Sequence, residues 1–417
     1  MGNQDTPATS GRALRVLFCG EHHWPELISN GKYSGEIVDF LASRGHRMTV
    51  VTAQPHYPEW AIHSPARNTY SRETVGGVEI HRSPLFLKRP MRGIWRLIAP
   101  ATFGMFASPI ILWRALVERP DVIVCVVPTM SIGPAVWVAA RLVGAGTVLH
   151  VQDLEVDAAL AVGHIGPGLL QRAALAAEAW LMRRFDTVIT ISDRMADRLR
   201  AKRVKNDRLR VIRNWVDLDA IRPLSGPNAY RRLLLLPDDS FVVLYAGAIG
   251  KKQVLHVVLD AAGKLVDRPG VRFVIAGEGP ELVDLKARYG GLPNVQFLPL
   301  QPADRLCELL NLADLHVLPQ DRGVADLVLP SKLGGVLASG RRLAVMADPG
   351  TELHAFLGDV GILVEPGNAE ALAVAIEQAS KGERNTYEPG RRLADRLDAR
   401  TNLAEFEAAL IETAQSD

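Results

Sequence analysis

The chain has 417 residues, of which 48% are apolar and 23% are charged, and its net charge is +2. This length is too great for one ordinary hydrophobic core, so it predicts two domains of a globular protein. The nearly balanced charge excludes a strongly basic nucleic-acid-binding protein. The three cysteines, Cys19, Cys125 and Cys307, are far apart and match no metal-site spacing, which indicates core thiols in a reducing cytosol.

Residues 1–14 are small and polar and lack the apolar core of a signal peptide. We expect them to be a disordered leader, and we expect the protein to be cytoplasmic.

Residues 15–222 alternate short apolar runs with helical patterns and are predicted to form an N-terminal Rossmann-like domain. Strand Arg15–Cys19, helix Tyr33–Arg44 and strand Met48–Thr52 make one βαβ unit, whose handedness nearly requires parallel strands. Further strands are predicted at Val78–His81, Asp121–Val127, Thr147–Val151, Thr187–Ile191 and Leu209–Ile212.

The segment Ile98–Trp113 carries no charge and follows a basic, aromatic stretch that contains Lys88, Arg89, Arg92, Trp95 and Arg96. It is short for a membrane span and contains two prolines. Two interpretations stand equally: a helix buried under a sheet, or a helix at a membrane surface.

A linker rich in proline and glycine lies near residue 225 and introduces a second α/β series at residues 223–385. The end of the chain, from about Glu370, is predicted to be helical again. Because ligands bind beyond the carboxyl ends of parallel strands, two such sheets facing each other predict a deep cleft. The predicted strands are Phe241–Ala246, Val271–Ala276, Val295–Leu298, Leu315–Leu318, Leu343–Ala347 and Ile362–Val364.

Two loops, each after the first predicted strand of its half of the chain, have features of phosphate sites. Gly31 precedes a helix start, where backbone amides can approach a phosphate. The segment Gly247–Gln253 combines Gly247 and Gly250 with Lys251 and Lys252, which suits a diphosphate. The alternatives are an ordinary loop and a solvated lysine pair. The absence of a GxGxxG pattern argues against a nicotinamide oxidoreductase.

Two more turns in the second half precede helices. The turn at Gly277, Glu278, Gly279 and Pro280 could pack tightly against a flat ring. The segment from Asp326 to Lys332 places Lys332 and Ser331 at a helix start. A plain turn and a capped surface helix are the alternatives.

Asp153 ends a strand of the first half and could orient a sugar hydroxyl, or it could simply cap a turn. The histidines His22, His23, His56 and His164 have no carboxylate at a fixed spacing, so we expect them on the surface or behind a site. The sequence contains no Ser–His–Asp order, P-loop or zinc spacing.

Taken together, these segments resemble the family-4 glycosyltransferases of the GT-B fold, and among them the exopolysaccharide transferases of the colanic-acid type. The resemblance covers nearly the whole chain in order. The residues that carry it are Pro25-Glu26, Gly31, Arg44–Thr52, Pro55–Pro58, His150–Leu154, Ile191-Ser192, Asn214–Asp217, Tyr245–Gly247, Gly250–Gln253, Gly277–Pro280 and Leu329–Leu333.

The resemblance implies a retaining hexosyltransferase that uses a UDP- or GDP-type sugar donor, with an acceptor domain at residues 15–222 and a donor domain at residues 223–385. It also implies that helices at residues 386–417 cross back to the N-terminal domain. It assigns Asp153, Asp326 and Lys252 to catalysis. The implied donor contacts are Gly31, Gly247, Gly250, Lys251, Gln253, Gly277, Glu278, Gly279, Pro280, Ser331 and Lys332. No metal or other cofactor is expected.

The chain departs from the family pattern at Ala248 and Gln253 in the diphosphate loop and near Gly335, where many members carry a ribose-binding glutamate. Two alternatives therefore stay open: a non-catalytic scaffold in a polysaccharide assembly complex, and an epimerase or hydrolase of sugar nucleotides.

The basic, aromatic stretch before Trp113 further suggests a lipid-linked saccharide acceptor and peripheral contact with the inner membrane face. Nucleic acid is not an expected partner.

Overall fold

The computed structural model describes residues 12–26, 30–57, 59–89, 95–154, 168–322, 329–382 and 387–415. The chain forms two compact units. The first contains Met1–Ile191, Met195–Ile212 and Leu403–Asp417, and the second contains Ser192–Arg194 and Arg213–Asn402. Each is an α/β unit built on one sheet, as predicted. The cleft between the domains stays a prediction.

The first unit contains an eight-stranded sheet in the order β3-β4-β2-β1-β5-β6-β7-β8, in which every pair is parallel except β3–β4. Its elements, in chain order, are β1 (Arg15–Cys19), α1 (Asn30–Ser43), β2 (Arg47–Ala53), β3 (Ser71–Val75), β4 (Val78–Ser83), α2 (Trp95–Glu118), β5 (Val122–Val127), α3 (Gly133–Val143), β6 (Gly146–Val151), α4 (Leu169–Met182), β7 (Thr187–Thr190), α5 (Asp193–Ala201) and β8 (Leu209–Val211).

The central strands of this sheet are buried on both faces. All six residues of β5, VIVCVV, are buried, as is usual where helices cover a parallel sheet. Cys19 and Cys125 are buried neighbours on β1 and β5, which confirms these two as core thiols, whereas Cys307 is only partly buried. Strand β3 was not predicted, because its five residues SRETV are all exposed and lack apolar alternation.

Helix α2 packs against β1, β2, β4 and α3. Ala99, Phe103, Ala107, Ile111 and Ala115 recur every four residues and are fully buried, so they form one helix face on the sheet. The buried-helix interpretation is therefore confirmed for this face. By length and composition, Ile98–Glu118 is also apolar enough to cross a membrane. Its outer face exposes Met105, Trp113, Leu116 and Val117.

The second unit contains a six-stranded parallel sheet in the order β11-β10-β9-β12-β13-β14. Its elements, with the last helix of the chain, are α6 (Ala229–Leu233), β9 (Phe241–Ala246), α7 (Leu255–Lys264), β10 (Val271–Ala276), α8 (Leu282–Tyr289), β11 (Val295–Leu298), α9 (Leu306–Leu310), β12 (Leu315–Leu318), α10 (Leu333–Ala338), β13 (Arg342–Met346), α11 (Glu352–Leu357), β14 (Ile362–Val364), α12 (Ala369–Ser380), α13 (Glu388–Ala394) and α14 (Ala399–Gln415).

Alternate residues of β9 enter two different cores. Phe241, Val243 and Tyr245 pack with α7 and α12, whereas Val242 and Leu244 pack with α6 and α9. The sheet is therefore covered on both faces, and its strands read as continuous apolar runs. All six predicted strands of this unit are present, five with the predicted bounds.

Two predicted boundaries differ from the structure. The units divide after Ile212 rather than near residue 222, because residues that follow are bonded into the second unit: Val216 N donates to Leu397 O at 2.8 Å and Leu224 N donates to Asn311 Oδ1 at 2.8 Å. Likewise, α13 packs against α10 in the second unit, so only the chain from Leu403 onward belongs to the first.

Residues 1–11 of the predicted leader lie outside the described residues, but Leu14 is only 6% exposed and belongs to the core. Its N–H donates to His46 Nδ1 at 3.0 Å, so the proton of a neutral His46 is on Nε2, which donates to Glu407 Oε1 at 3.0 Å. Arg44 Nε also donates to Glu407, at 3.3 Å. One carboxylate of α14 thereby joins the ends of α1, β1 and β2.

We expect Phe406→Ala to lower the free energy of unfolding of the first unit by about 3–5 kcal/mol. Phe406 is 1% exposed, and its ring lies 5.2 Å from that of His150 on β6, so truncation leaves a cavity between α14 and the sheet. Urea unfolding measures the change. The neighbouring exposed Glu405→Ala is the control and should change stability by less than about 0.5 kcal/mol. Equal stabilities of the two variants would contradict the docking of α14.

Candidate functional site

The carboxyl ends of three adjacent strands meet in the second unit. In its sheet, β9 lies between β10 and β12, so the strand order changes direction at β9. Such a point is where open α/β sheets bind ligands. Gly247–Gly250 follow β9, and Gly277–Pro280 follow β10. Leu329–Lys332 lie between β12 and α10. Most of the predicted donor contacts of this unit therefore lie at one edge of its sheet.

Two of these loops touch through their backbones. Gly277 has φ +144°, and a Cβ at this position would lie 1.9 Å from the carbonyl oxygen of Gly247. Gly279 has φ +155°, and a Cβ there would lie 2.1 Å from Ile249 O. Ile249 N also donates to Glu278 O at 2.8 Å. Only glycine permits both the left-handed backbone and this close approach.

Lys332 connects the third loop to the first. Its Nζ donates to the Tyr245 hydroxyl and lies 3.5 Å from Ala248 O and 4.1 Å from the centroid of the Tyr245 ring. The Tyr245 hydroxyl in turn donates to Ala248 O. A Cβ on Gly247 would lie 2.2 Å from Lys332 Cε, so the lysine stem lies directly on this glycine. Gly247 and Lys332 were predicted site residues, whereas Tyr245 was matched to the family pattern without a role, because it lies within an apolar strand.

Burial lowers the pKa of Lys332 to about 7. Within the described part of the chain, no carboxylate forms an ion pair with its ammonium group. The amine is therefore held where an arriving anion would restore its positive charge. This is the electrostatic property expected of a site for a phosphate.

The other predicted residues of the β9 loop have distinct positions. Lys251 and Lys252 are exposed in a 3-10 turn, Lys251–Gln253, that leads to α7. Gln253 Oε1 accepts from Gly250 N at 3.2 Å, so this side chain caps the turn. The structure thus gives Gln253 a structural contact, and its part in donor binding stays a prediction.

The remaining predicted donor residues are solvent-accessible. Glu278, Gly279 and Pro280 are exposed after β10, and Ser331 is exposed before α10. Their roles stay predictions. Asp326 lies outside the described residues.

Glu26 organises the loop after β1 in the first unit. Its Oε1 accepts from His56 N at 2.7 Å and from Tyr57 N at 2.8 Å, and its Oε2 pairs with His22 Nδ1 at 2.6 Å. A Cβ on Gly31 would lie 2.5 Å from Glu26 O, so this glycine lets the first turn of α1 approach the loop. The predicted contact of Gly31 with phosphates stays a prediction.

The premise that the histidines have no carboxylate partner is wrong for His22 and His56, which pair with Glu26 and Glu21. His56 Nε2 lies 3.4 Å from Glu21 Oε1, and Thr129 donates to Glu21 Oε2. Burial alone would raise the pKa of Glu21, but the adjacent His56, the charge of His22 and the hydrogen bond from Thr129 lower it. The signal was available: Glu21 and His56 follow adjacent parallel strands, and His22 and Glu26 are four residues apart. His164 lies outside the described residues.

Asp153 follows β6 and is exposed, and its Oδ1 accepts from Leu154 N at 2.8 Å. The neighbouring His150 is buried, and burial lowers its pKa to about 3, so this imidazole is neutral. The capping interaction of Asp153 is thus present, and its catalytic part stays a prediction.

Two family models and many solved structures match this architecture. Residues 31–215 match the model "Glycosyl transferase 4-like domain" and residues 228–396 match "Glycosyl transferases group 1". A glycosyltransferase from Rickettsia africae ESF-5 superposes with a TM-score of 0.69 at 12% identity, covering 97% of this chain and 100% of that one. Anabaena Alr3699/HepE in complex with UDP gives a TM-score of 0.69 at 17% identity, covering 96% and 100%. At these identities the likeness shows the fold, which is GT-B.

A relative in Escherichia coli (strain K12) has 38% identity over 379 residues, which are 88% of this chain and 92% of that protein. The chain therefore belongs to the family-4 glycosyltransferases. Its relative is named "Putative colanic acid biosynthesis glycosyl transferase WcaI".

We expect Gly277→Ala to destabilise the second unit by at least about 2 kcal/mol, because the new methyl would overlap Gly247 O in a backbone conformation that disfavours alanine. The control is Gly263→Ala in α7, where a Cβ meets nothing within 4 Å. That variant should gain roughly 0.5–1 kcal/mol from lower backbone entropy in the unfolded chain. Thermal unfolding measures both, and a Gly277→Ala variant as stable as the parent would contradict the contact between the loops.

Proposed function

We propose that the chain is a retaining hexosyltransferase that moves a sugar from a UDP- or GDP-type donor to a lipid-linked saccharide in the synthesis of exopolysaccharide or another envelope glycan. The observation that carries this proposal is the partly buried Lys332 on Gly247 at the ends of β9 and β10. Support also comes from the name of the Escherichia coli relative and from the UDP bound in the Anabaena protein.

In this proposal the donor diphosphate lies over the β9 loop. Lys332 and the amides between Gly247 and Gly250 stabilise the charge that grows on the leaving phosphate, and Lys251 and Lys252 add to it. Glu278 and Pro280 border the nucleobase. Ser331 and Asp326 contact the phosphates and the donor sugar.

Transfer with retention requires that the acceptor oxygen attack the face of the anomeric carbon from which the nucleoside diphosphate leaves. The bond from the anomeric carbon to the phosphate oxygen breaks as the bond to the acceptor oxygen forms. The departing phosphate oxygen takes the acceptor proton, so no strong protein base is needed. Asp153 orients the acceptor and the donor sugar. We expect this reaction to proceed without a metal ion.

The direct test incubates the purified chain with radiolabelled UDP- and GDP-sugars and membranes that carry lipid-linked saccharides. We expect label in the lipid extract and, by NMR, the anomeric configuration of the donor in the product. Donor turnover without an acceptor would favour the epimerase or hydrolase. Failure to bind any nucleotide would favour the scaffold, and an inverted product would overturn the retaining mechanism.

The low pKa of Lys332 predicts proton uptake when UDP binds. At pH 8 an amine with a pKa of about 7 is mostly neutral, and the diphosphate raises that pKa, so binding takes up most of one proton. At pH 6 the amine is already charged and uptake falls toward zero. Calorimetry in two buffers of different ionisation enthalpy measures this uptake.

Lys332→Met should abolish that uptake at pH 8 and weaken UDP binding by at least about tenfold, since it removes a charge-assisted contact. Lys264→Met on α7 removes an exposed lysine that pairs with Glu370, and it should change neither quantity. Unchanged UDP affinity in Lys332→Met would contradict the placement of the diphosphate.

The proposed membrane contact rests on the start of α2. Lys88 Nζ lies 4.1 Å from the centroid of the Trp95 ring. The ring centroids of Trp95 and the exposed Phe86 are 5.7 Å apart. A cation and two aromatic rings therefore lie together at one exposed edge. Such an edge suits the interface of an anionic membrane. Arg92 and the side chain of Arg96 lie outside what the structure describes, so the contact is argued from Lys88, Arg89 and the two rings.

We expect the double variant Lys88→Glu/Arg89→Glu to bind anionic vesicles at least about tenfold more weakly, because each basic residue near such a surface contributes about 1 kcal/mol. The control Lys286→Glu/Arg288→Glu changes two exposed cations on α8 of the other unit. Vesicle sedimentation measures binding. Equal binding of both variants would contradict this membrane contact.

A further inference from the structure

Glu21, His22 and His56 form a cluster at the carboxyl ends of β1 and β2 that the proposed sugar transfer does not use. Each offers one potential ligand atom, and these atoms lie within 4.8 Å of one another. Glu21 and His56 are buried, and His22 is partly buried. We propose that this cluster is a binding site for a zinc-type divalent cation.

The distance between two of the ligand atoms already suits a metal. Zinc binds imidazole nitrogen and carboxylate oxygen at about 2.1 Å in tetrahedral geometry, which places ligand atoms roughly 3.4 Å apart. His56 Nε2 and Glu21 Oε1 are 3.4 Å apart. The His56 side chain is 0% exposed, and its Nε2 has no hydrogen-bond partner among the described residues. A buried polar atom of this kind calls for a ligand.

The contacts of the other ring nitrogens direct Nε2 toward a metal. His56 Nδ1 lies 2.9 Å from the carbonyl oxygen of Gln54, which can only accept, so Nδ1 carries the proton. His22 Nδ1 pairs with Glu26 Oε2 at 2.6 Å, so Nε2 is the ring nitrogen that this contact does not use. Metal-binding histidines typically donate the second ring N–H to a carbonyl or a carboxylate, as both do here.

The surroundings hold these side chains in place. Glu26 is fixed by two backbone amides, and Thr129 donates to the second oxygen of Glu21. The rings of His22 and His56 stack with centroids 5.2 Å apart, and Trp60 packs against His56 at 5.7 Å. Two imidazoles and one carboxylate are a known zinc ligand set that leaves a fourth position for water or another oxygen ligand. The three side chains are therefore largely preorganised for metal binding.

The alternative without a metal is a protonated His56 that forms a buried ion pair with Glu21. A zinc titration of the chelator-treated full-length chain separates the two. We expect calorimetry with zinc chloride to give one ion per chain, and we expect cobalt chloride to produce the visible absorption of a tetrahedral nitrogen and oxygen site. Absence of zinc binding would overturn the proposal and leave the ion pair.

His56→Gln and His22→Gln should each weaken zinc binding by more than about 100-fold, since each removes a direct ligand where loss of a supporting contact already costs 10–100-fold. The control is His63→Gln, which removes a more exposed histidine that pairs with Glu59 at 2.6 Å. Thermal melting followed by circular dichroism checks that each variant folds. Because His22 is partly exposed, we expect His22→Gln to disturb folding less than His56→Gln does. Zinc affinity equal to that of the parent in both variants would overturn the site. The zinc titration contains no sugar donor, so its outcome does not depend on the transferase proposal.

Discussion

The contact between the Gly277 α-carbon and the Gly247 carbonyl is the constraint on which the donor side of this protein depends. It forces the loops after β9 and β10 into one layer, where a side chain on either residue would meet a neighbour. Because Gly247 has no side chain, the stem of Lys332 can cross it and reach Tyr245. Two glycines thus determine where a cation lies relative to the strand ends.

Burial of the Lys332 side chain disfavours the charged form of its amine. Burial lowers the pKa of Lys332 to about 7, and its described contacts are a hydroxyl, an aromatic face and a carbonyl rather than a carboxylate. A lysine that has already given up much of its hydration gains more from an arriving phosphate than an exposed lysine does. The same physics separates Lys332 from Lys251 and Lys252, which are exposed and form part of a turn.

The sequence predicted the parallel strands well, because buried apolar runs between glycine-rich turns have few alternative interpretations. It also located Gly247, Gly277 and Lys332. It assigned no role to Tyr245, whose hydroxyl matters only once α10 brings Lys332 to it. The pairing of Glu21 with His56 was missed because histidines and carboxylates were compared only by sequence spacing, although both residues follow strands of the first predicted βαβ unit. The boundary after Ile212 was missed because hydrogen bonds, not composition, bind the linker to the second unit.

The central claim is that the diphosphate of the donor lies on Gly247 and Lys332. A crystal structure of the chain with UDP tests this most directly. We expect phosphate oxygens within hydrogen-bond distance of Lys332 Nζ and of backbone amides between Gly247 and Gly250. A UDP molecule bound elsewhere, with Lys332 still on the Tyr245 hydroxyl and without a phosphate contact, would contradict the account.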